Sequence, residues 1–153
     1  MNNFLKWSLV GFSGYLGYKY FIGKAFDNIK SNISFAIAGG RIHKLSLNSG
    51  IDLRINIDMT NLTPIDAKIS EMTADIYYLR PDGTPSFLAN TSLTSFTVLA
   101  NKTSRIDNIR IVIPAQSVLR NFSIVTDKNR HFKAIIRAIV NGRDFETTQS
   151  FTL

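Results

Sequence analysis

The chain has 153 residues, 44% of them apolar and 19% charged, with a net charge of +7. That length suits one domain plus a short extra element, and that composition excludes disorder of the chain as a whole. There are no cysteines, so a disulfide framework and any thiolate metal site are excluded.

The charge is unevenly spread. Residues 1–44 carry six Lys/Arg against one Asp, residues 45–101 three against six acids, and residues 102–153 nine against four. Two basic regions flank an acidic middle, a pattern that suits nucleic acid, an anionic lipid surface, an acidic protein or a simply solvated exterior.

The first segment differs from everything after it. Phe4–Phe26 reads FLKWSLVGFSGYLGYKYFIGKAF, with twelve uncharged residues between Lys6 and Lys19. As a helix those twelve reach only about 18 Å; with both lysines snorkelling, the apolar stretch becomes about 23 residues or roughly 34 Å, enough to span a bilayer. Trp7, Leu9, Val10, Phe12, Leu16, Tyr18, Tyr20 and Phe21 are the expected anchor residues, with amphipathic aromatics of the kind found at membrane interfaces. Gly11, Gly14 and Gly17 recur every third residue and allow close helix–helix approach in lipid. Residues 1–30 therefore read as a membrane anchor or as a helix docked in a protein groove. A cleaved signal peptide is disfavoured, because no small-residue cleavage site comes directly after the run. Lys19, Lys24 and Lys30 after the apolar run, against Lys6 and the terminal amine before it, favour a cytoplasmic side for the body of the chain.

From Ile33 the pattern is that of strands. Ile33, Phe35 and Ile37 alternate with small or polar residues until Gly39-Gly40, which is expected to end the run, and Ile42, Leu45 and Leu47 suggest a second, irregular strand before the Asn48-Ser49-Gly50 turn. Ile51–Met59 has strict period-2 alternation: Ile51, Leu53, Ile55, Ile57 and Met59 face one way, and Asp52, Arg54, Asn56 and Asp58 the other. Asn61-Leu62-Thr63-Pro64 closes that strand, since Pro64 cannot donate to a ladder. The strand over Ile65–Leu79 changes register near Glu71, which predicts a bulge. Pro81–Thr84 is a turn, strands come next at Ser86–Ser92, Phe96–Ala100 and Arg105–Ile113, and Pro114–Phe122 is a helix candidate with Val118, Leu119 and Phe122 at helical spacing. His131–Val140 and Phe145–Leu153 form a hairpin across Asn141-Gly142. The expectation is an all-β, antiparallel, Greek-key-like sandwich of about seven strands with one short helix over residues 31–153.

This order of features resembles the late-embryogenesis-abundant type 2 family, also called the water-stress and hypersensitive-response (WHy) domain, over residues 45–153. The residues that carry the resemblance are the long strand Leu47–Met59, the turn Asn61–Pro64 with Ile65 after it, the strand and Gly turn Tyr77–Gly83, the small-residue strand Phe87–Ser92, Ile113-Pro114, and Gly142 in the closing hairpin. The family places Pro directly after the Asn, whereas Leu62-Thr63 intervenes here. The resemblance implies a seven-stranded sandwich with one helix, often behind a membrane segment. It implies an interaction or protective domain with no catalytic constellation.

No chemical site rises above the background. His43 and His131 lack ligand spacing, Gly39-Gly40 lacks the Lys-Ser/Thr that completes a phosphate loop, and no nucleophile elbow occurs, Gly11-Phe12-Ser13-Gly14 inside the anchor only approximating one. Asp52 and Asp58 share one strand face about 20 Å apart, too far for joint acid–base work. Asn61, Asn90, Asn101 and Asn121 head glycosylation sequons, as expected by chance in an Asn-rich chain. One basic cluster, Lys128, Arg130, Lys133, Arg137 and Arg143, suits phosphates, lipid headgroups or an acidic protein, or is the polar face of an amphipathic strand. Aromatics are not interleaved with it as single-strand binders need, which argues against nucleic acid. The expected function is that of a non-enzymatic structural or interaction protein, membrane-associated by one pass or peripherally. It needs no cofactor, metal or small-molecule substrate, and its partners are lipid or proteins of a larger assembly. One setting is a virion, where such a protein ties a lipid layer to a protein shell. The alternative is a cellular stress-protective or lipid-handling domain.

Overall fold

The alternating segment Ile51–Met59 lies at the centre of one of two packed sheets. The computed structural model describes residues 29–153; the anchor expected over residues 1–30, with its aromatics from Trp7 to Phe21 and its glycines Gly11, Gly14 and Gly17, falls almost wholly outside them. Among the described residues no helix is long and apolar enough to cross a membrane.

A single turn, α1 (Ile29–Asn32), leads into β1 (Ile33–Ser46), β2 (Gly50–Asn61), β3 (Ala67–Leu79), β4 (Pro85–Leu93), β5 (Phe96–Val98) and β6 (Lys102–Ile113). Two short helices, α2 (Ala115–Arg120) and α3 (Ser123–Thr126), precede β7 (His131–Val140) and β8 (Arg143–Thr152). The first sheet has the order β1-β2-β6; the second runs β4-β3-β7-β8, with the short β5 paired to the start of β3. Every pairing is antiparallel. The all-β sandwich expected from the sequence is thus present, with eight strands among the described residues where about seven were expected.

The core lies between the sheets. Ile51, Leu53, Ile55, Ile57 and Met59 of β2 face Ile69, Met72, Ala74, Ile76 and Tyr78 of β3 and Phe132, Ala134 and Ile136 of β7, all buried. Burial of each large side chain here is worth about 1.5–3 kcal/mol relative to exposure. Asp52, Arg54, Asn56 and Asp58 point away from the core but are half-buried, because β2 is the middle strand and side chains of β1 and β6 crowd it from both sides.

Two sequence expectations need correction. Gly39-Gly40 does not end a strand. β1 runs unbroken through it, with irregularities after Ile37 and Ile42 that keep both halves paired to β2. A Cβ at Gly40 would lie 3.0 Å from Leu153 Cδ2 and 3.2 Å from the Arg54 carbonyl oxygen, so the glycine lets two backbones approach. The helix over Pro114–Phe122 breaks at Asn121, which leaves Val118 buried but Leu119 and Phe122 exposed. The bulge expected near Glu71 is present, between Ile69 and Glu71 in the pairing of β3 with β7. Asn141 and Gly142 both have positive φ, 49° and 78°, the twist that a two-residue hairpin requires.

Candidate interaction faces

Each sheet presents an outward face of paired polar residues. On the first, Arg54 and Arg110 both donate to Asp52, at 2.8 and 2.9 Å, and Arg105 clasps Asp58 with two bonds of 2.6 and 2.8 Å. Burial pushes the Asp52 carboxyl up, but the two guanidinium groups outweigh it and hold it below the usual carboxylate range. The Arg105 hydrogen bonds hold Asp58 low in the same way, and Asp58 in turn raises Arg105. These carboxylates stay apart, Asp52 held by two arginines and Asp58 by one, in an arrangement suited to fixing the register of β2 against β6.

On the second sheet Arg137 of β7 lies between Asp75 of β3 and Glu146 of β8, bonding both. Asp75 also accepts from Asn90 of β4 at 2.6 Å, and these donors, Asn90 first and then Arg137, keep its carboxyl low. The polar row thus crosses all four long strands. Beside it Phe87 packs edge-on against Tyr77, with ring centroids 5.6 Å apart, and Lys133 is the cross-strand neighbour of Tyr77.

Two hollows flank this row. One, of about 390 Å³, sits by the bulge and is lined by Glu71, Thr73, Arg137, Ile139, Asp144 and Glu146 among others. The other, of about 380 Å³, is a groove between the edge strands β1 and β8 and shares Phe145 and Glu146 with the first. Three carboxylates against one arginine make the first hollow acidic. Its lining holds neither histidine nor thiol. Among the described residues no group of His, Cys, Asp or Glu is arranged to hold a metal ion.

The expected basic cluster is dispersed. Arg137 is engaged by two carboxylates. Arg130 turns inward and donates to the carbonyls of Ile124 and Val125, capping α3. Lys133 is half-buried in the sheet, Lys128 is exposed in the loop after α3, and Arg143 is exposed at the start of β8. Across the ten residues of β7, Arg130 and Arg143 are separated by about 30 Å at a strand's rise. His43 and His131 are both exposed on strands, and His131 Nδ1 meets Thr152 Oγ1 at 3.0 Å.

Sequence reasoning passed over the polar group at the end of β2. Asn61 is fully buried: its Nδ2 donates to the carbonyls of Ile65 and Val98, at 2.8 and 3.1 Å, and its Oδ1 accepts from the Thr63 backbone and hydroxyl, at 3.0 and 2.6 Å. The Asn-x-Thr-Pro spacing was the available signal, since an Asn side chain commonly bonds the backbone two residues on. Burial of Asn61 and Asn121 also removes those two sequon asparagines from reach in the folded chain.

The fold and these faces define an all-β protein of two packed antiparallel sheets. No protein-family model matches the chain, and no curated protein does. Solved structures with the same fold include AT1g01470 of Arabidopsis thaliana, at TM-score 0.56 and 10% identity over 78% of this chain and 78% of that one. A second is the structural-genomics target SoR45, at TM-score 0.52 and 12% identity over 81% of this chain and 87% of that one.

Proposed function

We propose that this chain is a non-enzymatic interaction module, a β-sandwich tethered to a membrane by its N-terminal apolar segment. The observation that carries the reading is the division of the apolar residues. Among the described residues the buried core runs from Ile33 to Phe145, with every buried side-chain polar atom partnered, while the sequence sets a second, strongly apolar run, Phe4–Phe26, apart from these strands. The outward arginines and aspartates serve each other and hold register, which suits a binding scaffold more than a reaction centre. A link between a lipid layer and a protein shell, as in a virion, is one assembly that such a scaffold serves.

The test is extraction of the full chain from native membranes. Retention after both high salt and alkaline carbonate is the expected result. Release by salt alone removes the inserted segment from the reading, since salt screens a basic surface but leaves apolar insertion intact.

The late-embryogenesis-abundant type 2 resemblance supports a second reading, a stress-protective or lipid-handling domain. Its support is the order of sequence features that carries the resemblance, among them the Asn61–Pro64 turn, which here leads from β2 of one sheet to β3 of the other. Protection of a labile enzyme through drying, measured against an equal mass of an unrelated sandwich domain, tests it.

A further inference from the structure

The end of the sandwich from which residues 1–28 extend carries two leucines that the core does not use. Leu62 is 62% exposed in the β2–β3 loop and Leu99 56% exposed in the β5–β6 turn. They belong to one bonded knot. The Leu62 N–H donates to the Asn32 carbonyl at 2.8 Å, the Asn101 N–H to the Thr63 carbonyl at 3.1 Å, and Asn61 Nδ2 reaches the Leu99 carbonyl at 3.3 Å. The point where the chain comes in from the apolar segment is therefore fastened directly to the loops that display these leucines. Pro64 is exposed between them, and Lys68 and Lys102 are exposed on the strands that leave the knot. Asp66, exposed in the same loop, is held by the Ala100 N–H at 2.9 Å.

Chain length restricts where this end can be. Five residues lie between Phe26, the last apolar residue of the segment, and Asn32. Even fully extended, the six steps from one to the other reach only about 20 Å. The opposite end, where Leu119 is 58% exposed, is further away by the 14-residue strand β1, about 45 Å at a strand's rise. A bilayer holding Phe4–Phe26 thus comes within reach of Leu62 and Leu99 first.

We propose that the loops 62–66 and 99–102 rest on the bilayer surface, with Leu62, Pro64 and Leu99 inserted among the acyl chains at the headgroup boundary and Lys68 and Lys102 at headgroup level. This rests on the tethered reading above and adds to it an orientation: the sandwich stands on its N-terminal end instead of swinging on a free linker. Two or three inserted apolar side chains flanked by cations give the weak, additive affinity typical of interfacial contacts, and the tether raises it by keeping the loops close to the surface.

The test uses the full chain, whose lack of cysteines allows single labels at Leu62→Cys, Leu99→Cys and, as reference, Leu119→Cys. All three sites are exposed, so the substitutions leave the core intact. Each variant, carrying a polarity-sensitive fluorophore, is reconstituted into phosphatidylcholine–phosphatidylserine vesicles with nitroxide-labelled acyl chains. The expected result is several-fold stronger quenching at positions 62 and 99 than at 119, with blue-shifted emission at the first two. Equal, weak quenching at all three sites in protein that stays with the vesicles through a carbonate wash overturns the orientation and leaves the tether standing, as does stronger quenching at 119. Protein that washes off the vesicles overturns tether and orientation together.

Discussion

Asn61 closes β2 with its side chain fully enclosed, while Asp52 and Asp58 lie earlier on the same strand, turned outward to arginines of the neighbouring strand. The outward pairs carry full charges and short bonds. Asn61 carries no charge, yet its surroundings leave it no alternative partner. Water replaces a lost arginine at the surface at little cost, but the Asn61 bond to the Val98 carbonyl is enclosed, where water does not take its place. In this strand, enclosure rather than formal charge decides which polar groups hold the sheets together.

Substitutions along β2 test that contrast. Ile55→Ala sets the scale: it removes volume from the centre of the core and should cost about 2–5 kcal/mol by urea unfolding. Asn61→Leu should come close to it, at about 2–4 kcal/mol, because it orphans enclosed backbone groups in both loops it bridges. A cost indistinguishable from zero breaks the comparison. Thr63→Val keeps the shape but loses the hydroxyl bonds to Asn61 and Ile65, and should cost about 1–2 kcal/mol.

The outward carboxylates should appear in the pH profile. Asp52, Asp58 and Asp75 are held below their ordinary range in the folded chain. Their contribution is therefore fully present above the unfolded carboxylate pKa, about 3.9, and is lost as pH falls through the lower folded values. The urea midpoint should be flat from neutrality to about pH 5 and decline below that, and Asp52→Asn with Asp75→Asn should flatten the decline. The smallest effect belongs to Arg105→Gln, whose guanidinium is half exposed. Its urea midpoint at neutral pH should stay within replicate scatter of the parent, and a clear drop shows that the pair holds more than surface register.

A separate check concerns the boundary between segment and sandwich. Removal of residues 1–26 should leave the β-type circular dichroism and the urea midpoint unchanged, since the core begins at Ile33. Loss of either places part of that segment in the fold.

Much of the architecture was legible because its causes are local. The alternation of Ile51–Met59 faces one side inward whatever the strand pairs with, Asn141-Gly142 takes positive φ with little strain, and the change of phase near Glu71 demands an extra residue in the ladder. The continuity of β1 through Gly39-Gly40 and the break in the helix over Pro114–Phe122 were not legible, because both depend on distant partners. β2 and Leu153 accept the glycines into a continuous strand, and Asn121, bonded through its side chain to Arg80 of the β3–β4 turn, interrupts the helix.

The candidate faces divide in the same way. By itself the sequence determined which residues point outward, since period-2 geometry assigns every second side chain to one face, and it determined the contrast between an apolar leading segment and a patterned body. Only the tertiary structure decided how the outward charges are used. Arg137 meets Asp75 across 62 positions of chain, Arg105 meets Asp58 across 47, and Arg130 turns away from its expected cluster to cap a helix. It alone also gathered Asn32, Leu62 and Leu99 at one end. The physical reason is that sheet pairing brings together residues far apart in the chain, and the register that sets each meeting is chosen by the whole core rather than by any segment in it.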